Sequence, residues 1–198
     1  MDFEFGFDAF PPRSVIVIAE ELGGTHRPFA QNIAAAAMQR GEKVVYFTRK
    51  KRADVIALMD LYQIPHTENF KIFEGIRDRT LLPKECTGDL CILDDFAALY
   101  VGATLEEMRE EMWDLVDRSR KNKGYLIILD SGILPHDVEQ MIYALADGVV
   151  RLLTTAEGGK IKRFISIPKM NGIIPPEQYI PFTLNADGLL VDTRERHG

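Results

Sequence analysis

The sequence predicts an α/β fold, a three-layer αβα sandwich with a mostly parallel sheet and antiparallel strands at the C-terminal end. Two observations predict it. Short apolar segments rich in β-branched residues alternate with helical segments up to about residue 147, which is the pattern of successive βαβ units. Closely spaced strands, two of them joined by a glycine pair at 158–159, then end the chain, and such spacing is typical of antiparallel pairs.

Size and composition favour one domain over residues 1–198. The chain has 198 residues and 22.4 kDa, with 46% hydrophobic residues, enough for a substantial core. No apolar run is long enough for a membrane span, and the acidic start lacks the features of a signal peptide, so we expect a cytoplasmic protein without a membrane partner. A net charge of −6 disfavours attraction of nucleic acid over the whole surface.

The first βα unit shows how the elements are assigned. Residues 14–19 are almost all apolar and β-branched, as in a buried parallel strand. A loop with Gly23 and Gly24 follows, Pro28 suits the first turn of a helix over residues 29–40, and Gly41 ends it. The later predicted elements are strands 43–48, 70–73, 90–94, 125–129, 148–153, 161–167 and 188–192, and helices 53–62, 105–116 and 137–146. Residues 168–181 are predicted to form a surface loop.

Two local patterns add detail. Thr104 and Glu107 have the spacing of a capping box, and an apolar stripe follows on the predicted helix. Cys86 and Cys91 are five positions apart rather than in a CxxC pair, and Cys91 lies in an apolar run, where cysteine behaves as a small hydrophobe. A closed zinc site needs four ligands, so we expect no metal here.

Five segments together resemble the KaiC/RadA branch of the RecA-like P-loop ATPases, a group prominent in archaea. They read SVIVI from residue 14, GEKVVYFT from 41, DLCILD from 89, ADGVV from 146 and RFISIPKMNG from 163. The resemblance spans residues 13–193 and implies a RecA-like sandwich. It also implies a phosphate-binding loop after the first strand, an acid that supports Mg²⁺ at Asp94, and a catalytic acid after the second strand.

The phosphate loop departs from the family pattern GxxxxGK[ST]. Without gaps, its four defining positions hold Glu20, Thr25, His26 and Arg27. Glu20 repels phosphate, and Thr25 is β-branched, which makes positive φ costly. His26 is shorter than lysine, and Arg27 has no acceptor for a metal. A Walker A motif is therefore degenerate here.

The catalytic acid is replaced as well. Lys50 and Lys51 stand where the resemblance places the acid, and a protonated lysine is no general base. Asp94 is retained. Arg27 stands where the metal-binding hydroxyl would be, so we expect it to pair with Asp94 in place of Mg²⁺. A similar exchange would set Glu20 or Asp95 against Lys50 or Lys51.

Three interpretations of this loop stay open. It merely connects a strand to a helix, it binds an anion or ATP/ADP without metal through Gly23, Gly24 and residues 25–27, or it belongs to an ATPase with a rebuilt site. The two replacements favour a pseudoenzyme, so we assign no catalytic residue and expect no cofactor. The function predicted is a non-hydrolysing binding, regulatory or assembly module.

Partners follow from the same resemblance and from surface patterns. Arg163 and Lys169 match residues that reach a neighbouring subunit in active relatives, so they are either solvated cations on a strand and its loop or candidate inter-subunit contacts of an oligomer. The basic residues 49–52 raise single-stranded DNA binding as an alternative to a solvated helix start. Alternating phenylalanines in residues 1–12 favour ordinary packing over the domain, with an edge strand or a docking segment as the alternative. A protein partner or self-association is favoured.

Overall fold

The computed structural model describes residues 10–21, 23–77, 79–82, 86–121, 123–186 and 188–191. Its strands, numbered in chain order, are β1 Val15–Glu20, β2 Val44–Phe47, β3 Phe70–Phe73, β4 Leu90–Leu93, β5 Gly124–Asp130, β6 Gly148–Glu157, β7 Lys160–Met170, β8 Ile180–Asn185 and β9 Gly188–Val191. They form one sheet in the order β3-β2-β4-β5-β1-β6-β7-β8-β9. Pairs from β3 to β6 are parallel and pairs from β6 to β9 antiparallel, which confirms the predicted sheet.

Helices cover both faces of the sheet. They are α1 His26–Gln39, α2 Arg52–Leu61, α3 Phe96–Leu99, α4 Leu105–Ser119 and α5 His136–Leu145, with a 3₁₀ turn at Arg79–Leu81. One buried cluster joins α1 and α2 to the sheet, and a second joins α3, α4 and α5 to the opposite face. Successive side chains of a strand point to opposite faces, so β1 contributes to both clusters. None of the described helices is long and apolar enough to cross a membrane.

Helix α1 is buried on nearly all sides, which explains its alanine-rich sequence. Strands β8 and β9 fold over it, and the ring of Phe182 lies 6.2 Å from that of Phe29. Even Gln31 is only 1% exposed. The helix begins at His26, so Pro28 lies in its first turn, as predicted, although the helix starts before the range 29–40 that the sequence indicated. The earlier start places His26 and Arg27 in the first turn.

The C-terminal strands required a second correction. Strand β7 continues to Met170 and β8 begins at Ile180, so the loop predicted over 168–181 is shorter and an additional strand follows it. The prolines at 168 and 181 led to the prediction of a loop at these strand ends, because proline donates no backbone N–H. Strand β8 accommodates Pro181 near its start, where the strand pairs with β7 alone, because the ladder with β9 begins only at Phe182. The N-terminal segment 1–12 lies outside the described residues except for 10–12.

Helix α4 begins as predicted. Thr104 Oγ1 accepts a hydrogen bond from the Glu107 backbone N–H at 3.2 Å, and Glu107 Oε2 accepts one from the Thr104 N–H at 2.8 Å. Both halves of the capping box are therefore confirmed.

The two cysteines required a third correction. Cys91 is buried, as predicted, but it does not behave as an isolated hydrophobe because it forms a disulfide with Cys86. Their Cα atoms are 6.2 Å apart, within the range that a disulfide spans. The bond ties the segment before β4 to the middle of that strand.

At the amino ends of the parallel strands, a buried acid holds three parts of the chain together. Asp147 accepts hydrogen bonds from the Val15 N–H at 2.9 Å, from Arg120 Nη2 at 2.7 Å and from Asn171 Nδ2 at 3.2 Å. We call these four residues the amino-edge clasp. The ADGVV segment, part of the family resemblance, thus supplies an anchor between β1, α4 and the end of β7.

Candidate functional site

Strands β4, β5 and β1 are neighbours, and acidic residues stand where each of them ends. Glu20 and Asp130 are paired in register at the ends of β1 and β5, and Asp94 and Asp95 directly follow β4. Helix α1 begins six residues after Glu20 and brings two cations to the same place. We call this group the carboxyl-edge cluster, comprising Glu20, His26, Arg27, Asp94, Asp95 and Asp130.

Glu20 occupies the N-terminus of α1. Its Oε2 accepts hydrogen bonds from the backbone N–H of Thr25 at 2.9 Å and of His26 at 3.0 Å. The Thr25 hydroxyl donates to Oε1 at 2.5 Å, and His26 Nδ1 lies 2.7 Å from Oε2. Free N–H groups at a helix N-terminus favour an anion. In this chain, that anion is a carboxylate of the protein itself.

The two loop glycines have different environments. A Cβ atom on Gly23 would overlap the carboxyl group of Glu20, so glycine at this position lets Glu20 fold against the loop. A Cβ atom on Gly24 would meet no atom within 4 Å. Gly23 therefore supports the position of Glu20, whereas packing does not require glycine at position 24.

Arg27 connects three acids that come from two different strand ends. Its Nε lies 2.9 Å from Asp94 Oδ1, and its Nη2 lies 3.0 Å from Asp95 Oδ1 and 3.2 Å from Asp130 Oδ2. The predicted pairing of Arg27 with Asp94 is confirmed. The Arg27 side chain is 15% exposed and that of Asp94 fully buried, so this is an ion pair in a poorly solvated place.

Further hydrogen bonds hold Asp94. Tyr46 donates its hydroxyl to Asp94 Oδ2 at 3.0 Å, and Thr48 donates to the same oxygen at 3.2 Å. The backbone N–H of Asp95 donates to Oδ1 at 2.7 Å. Asp95 has a φ of 58°, in the left-handed region that aspartate tolerates better than most residues. The backbone at Asp95, directly after β4, is therefore locally strained.

His26 bridges two acids. Its Nδ1 faces Glu20, and its Nε2 lies 2.9 Å from Asp130 Oδ1 while the residue is only 1% exposed. Burial favours the neutral ring and would lower the pKa of His26, but hydrogen bonds to Asp130 and Glu20 outweigh burial and raise the pKa above its ordinary value of 6.5. The ring is thereby favoured as an imidazolium.

The acids respond in different directions. Burial would raise the pKa of Glu20, but hydrogen bonds from His26 and Thr25 prevail and hold it at about 2. The hydrogen bond with His26 is the main cause that lowers the pKa of Asp130. The pKa of Asp94 is raised, because burial outweighs the attraction of Arg27. Glu20 and Asp130 thus remain carboxylates in the folded protein.

The exchange predicted for Lys50 and Lys51 was wrong. In the described part of the chain, the side chain of Glu20 pairs with His26, and that of Asp95 pairs with Arg27. Both lysines are exposed at the start of α2, where they make no ion pair with described acids. The prediction failed because the first turn of α1 places His26 and Arg27 beside these acids, at the ends of the strands.

Arg163 and Lys169 lie on β7, away from the carboxyl-edge cluster in sequence and in sheet order. Lys169 Nζ donates to the carbonyl oxygens of Tyr143 at 3.3 Å and Ala144 at 2.7 Å, close to the C-terminal end of α5. A cation there complements the helix dipole. Arg163 is half-buried opposite Phe182 of β8.

Asp130 is the member of the cluster that sequence reasoning missed. Its position in the sequence could have identified it, because Asp130 comes at the end of an apolar run in the same way as Asp94. Strands β5 and β1 are neighbours, so this position places Asp130 beside Glu20.

The cluster contains four carboxylates and two cations, so its charge is negative even with His26 protonated. Among the described residues, no group of three or more His, Cys, Asp or Glu side chains is arranged to hold a metal ion. The groups that bind phosphate elsewhere, namely helix N–H donors and a guanidinium, are already bonded to the protein's own acids.

Comparison with known proteins gives a clear result for the fold. No protein-family model matches the chain, and no curated protein matches its sequence. The crystal structure of flagellar accessory protein FlaH from Methanocaldococcus jannaschii superposes with a TM-score of 0.80 over 93% of this chain and 92% of that chain. The chain has a RecA-like fold. At 18% identity, the similarity to FlaH concerns the fold alone.

Proposed function

We propose that this chain is a catalytically degenerate domain of the KaiC/RadA type, which does not hydrolyse ATP and serves as a binding, regulatory or assembly module. The observation that carries the proposal is the position of Glu20. Its carboxylate takes two backbone N–H donors, a hydroxyl and an imidazole at the N-terminus of α1. A phosphate group bound there would have to displace an acid whose pKa is about 2.

Electrostatics supports the same proposal. A triphosphate would approach a cluster that already carries more negative than positive charge, and it would have to compete with three acids for Arg27. Arg27 also neutralises part of the charge of Asp94 without a metal ion. We infer that Arg27 takes the place of Mg²⁺ beside this acid.

The name of the similar solved structure suggests the class of role. FlaH is described as a flagellar accessory protein. We extend to this chain only the idea of an accessory partner in a larger assembly, since a shared fold does not define a shared partner.

Calorimetry with ATP and ADP, with and without Mg²⁺, tests the proposal, together with a phosphate-release assay. We expect no metal-dependent binding and no turnover by the natural sequence. Steady turnover that Asp94→Ala abolishes would overturn the proposal in favour of an ATPase with a rebuilt site.

A matched pair of variants tests the role of Glu20 itself. Glu20→Ala frees the donors of α1, so we expect measurable metal-independent affinity for inorganic phosphate. Glu21→Ala removes a neighbouring exposed acid and should leave affinity absent. If neither variant binds phosphate, Glu20 is not what closes this site to anions.

A further inference from the structure

The outer face of α4 is acidic and carries exposed apolar side chains. The helix contains six acidic residues and two arginines. Trp113, the single tryptophan of the chain, is 52% exposed, and Leu105 is 39% exposed. Glu110 and Asp117 are exposed one turn before and after Trp113. We call Leu105, Glu110, Trp113 and Asp117 the α4 face.

The hairpin of β6 and β7 has the opposite charge. From Gly148 to Met170 it holds five lysines and arginines and one acid, Glu157, which pairs with Lys162, in a chain whose net charge is −6. Every residue from 154 to 162 is exposed. Strand β1 ends opposite Leu152, so the rest of the hairpin projects beyond its neighbour in the sheet.

One side of this hairpin combines cations with aromatic rings. Residues paired across antiparallel strands share a face, which places Arg151, Lys160, Lys162 and Phe164 on the same side. The ring of Tyr179, 62% exposed, lies 6.2 Å from that of Phe164. We call these five residues the hairpin face.

Both faces lie on the same side of the sheet. Arg151 of the hairpin face stacks over the ring of Tyr143 on α5, at 5.2 Å from the ring centroid. Helix α5 packs in turn against α4, so it lies between the two faces. A two-fold axis near α5 would therefore bring each face of one copy against the other face of a second copy.

We propose that two copies of this chain associate with the hairpin face of each against the α4 face of the other. The argument is charge complementarity together with exposed aromatic groups on both faces, since aromatic residues are enriched at the centres of interfaces. The inference rests on the proposed role as an association module and names a second copy as the partner. Its two faces do not include any residue of the carboxyl-edge cluster.

Sedimentation velocity with charge-reversed variants tests the contact. We expect the natural sequence to form dimers, and Lys160→Glu/Lys162→Glu and Glu110→Lys/Asp117→Lys each to weaken association on the order of a hundredfold. Mixing the two variants should restore dimers, because every contact then joins opposite charges. Lys50→Glu/Lys51→Glu, an equal charge change at the start of α2, should leave the dimer intact.

Trp113 supplies a second readout. We expect its emission to shift as the natural protein is diluted from dimer to monomer, and not to shift for either reversed variant. A natural protein that stays monomeric overturns the inference, as does a variant mixture that stays monomeric while the natural protein dimerises.

The same variants separate two other outcomes. A monomer that binds a labelled single-stranded oligonucleotide, and loses it on Lys160→Glu/Lys162→Glu, would assign the hairpin face to nucleic acid instead. Failure of the proposed function is measured independently, as ATP turnover, and a dimer that turns over ATP would retain this inference and remove that one.

Discussion

The two ends of β1 meet buried acids of very different surroundings. In the amino-edge clasp, Asp147 accepts the Val15 N–H and pairs with one arginine, Arg120. In the carboxyl-edge cluster, Glu20 accepts two N–H groups of α1, but three further carboxylates share the site with only two cations. The first arrangement is balanced in charge, and the second is not.

The difference distinguishes a charge-balanced structural contact from a cluster that keeps an excess of negative charge. A balanced clasp needs no ligand, and its residues tie three segments of the chain together. The carboxyl-edge cluster lies where ligands bind in open parallel sheets, outside the carboxyl ends of the strands. There the chain uses its own acids and cations where a bound anion and a metal would be expected from the family resemblance. Each of the following variants tests one side of this contrast.

Arg27→Met should have the largest effect. It leaves Asp94 buried without its cation, and removal of one partner of a buried ion pair costs about 3 to 5 kcal/mol. Urea denaturation of the variant measures this loss. Arg49→Met, at an exposed position, is the matched control. Adding Asp94→Asn to Arg27→Met should recover part of the loss, since it removes the unpaired charge. A loss below about 1 kcal/mol would indicate a pair no stronger than one on the surface.

Glu20→Gln tests the acid that fills the N-terminus of α1. The folded pKa of about 2 lies below the ordinary 4.5, so this group stabilises the fold fully above pH 4.5 and progressively less as pH falls toward 2. The difference corresponds to on the order of 3 kcal/mol. Denaturation at a series of pH values should show this acid limb in the natural protein and a flatter one in Glu20→Gln. Glu21→Gln should behave as the natural protein, and equal limbs in all three would contradict the assignment.

Asp147→Ala should cost less, because the clasp is partly solvated and Arg120 is about half exposed. The Val15 N–H loses its acceptor, which costs about 1 to 3 kcal/mol if the group stays buried. We expect this loss to be smaller than that of Arg27→Met under the same conditions. Reversal of that order would mean that the clasp, and not the cluster, is the stronger electrostatic contact.

Much of the fold could be predicted from the sequence because its signals are local. Apolar β-branched runs marked the parallel strands, and Thr104 with Glu107 marked the start of α4. Strand β8 was not predicted, because Pro181 has no N–H and the strand is held by tertiary pairing with β7. The disulfide was not predicted, because a spacing of five residues does not show that Cys86 and Cys91 approach each other.

The site was predicted only in part for a related reason. The Arg27–Asp94 pair was predicted from one replacement, Arg27, and one retained acid, Asp94, at positions that the family resemblance implies. The role of Glu20 as acceptor at α1 depends on where that helix begins, and the range 29–40 indicated by the sequence left His26 and Arg27 outside the helix. Asp130 requires the sheet order, because β5 follows β1 by about a hundred residues in the chain but pairs with it in register.

Titration of His26 should give the smallest effect, a loss of folding stability as pH rises. Its pKa is raised above 6.5, so its stabilising contribution is complete below pH 6.5 and is lost as pH rises through the folded pKa. The loss is modest because a neutral imidazole still donates one hydrogen bond, and both acids keep other donors, from Thr25 and the His26 backbone to Glu20 and from Arg27 to Asp130. Denaturation from pH 6.5 upward should show this decline in the natural protein and not in His26→Gln, whereas His66→Gln, at a more exposed position, should retain it. A decline of equal size in His26→Gln would place the titrating group elsewhere, and the bridge between the two acids would then have to be neutral.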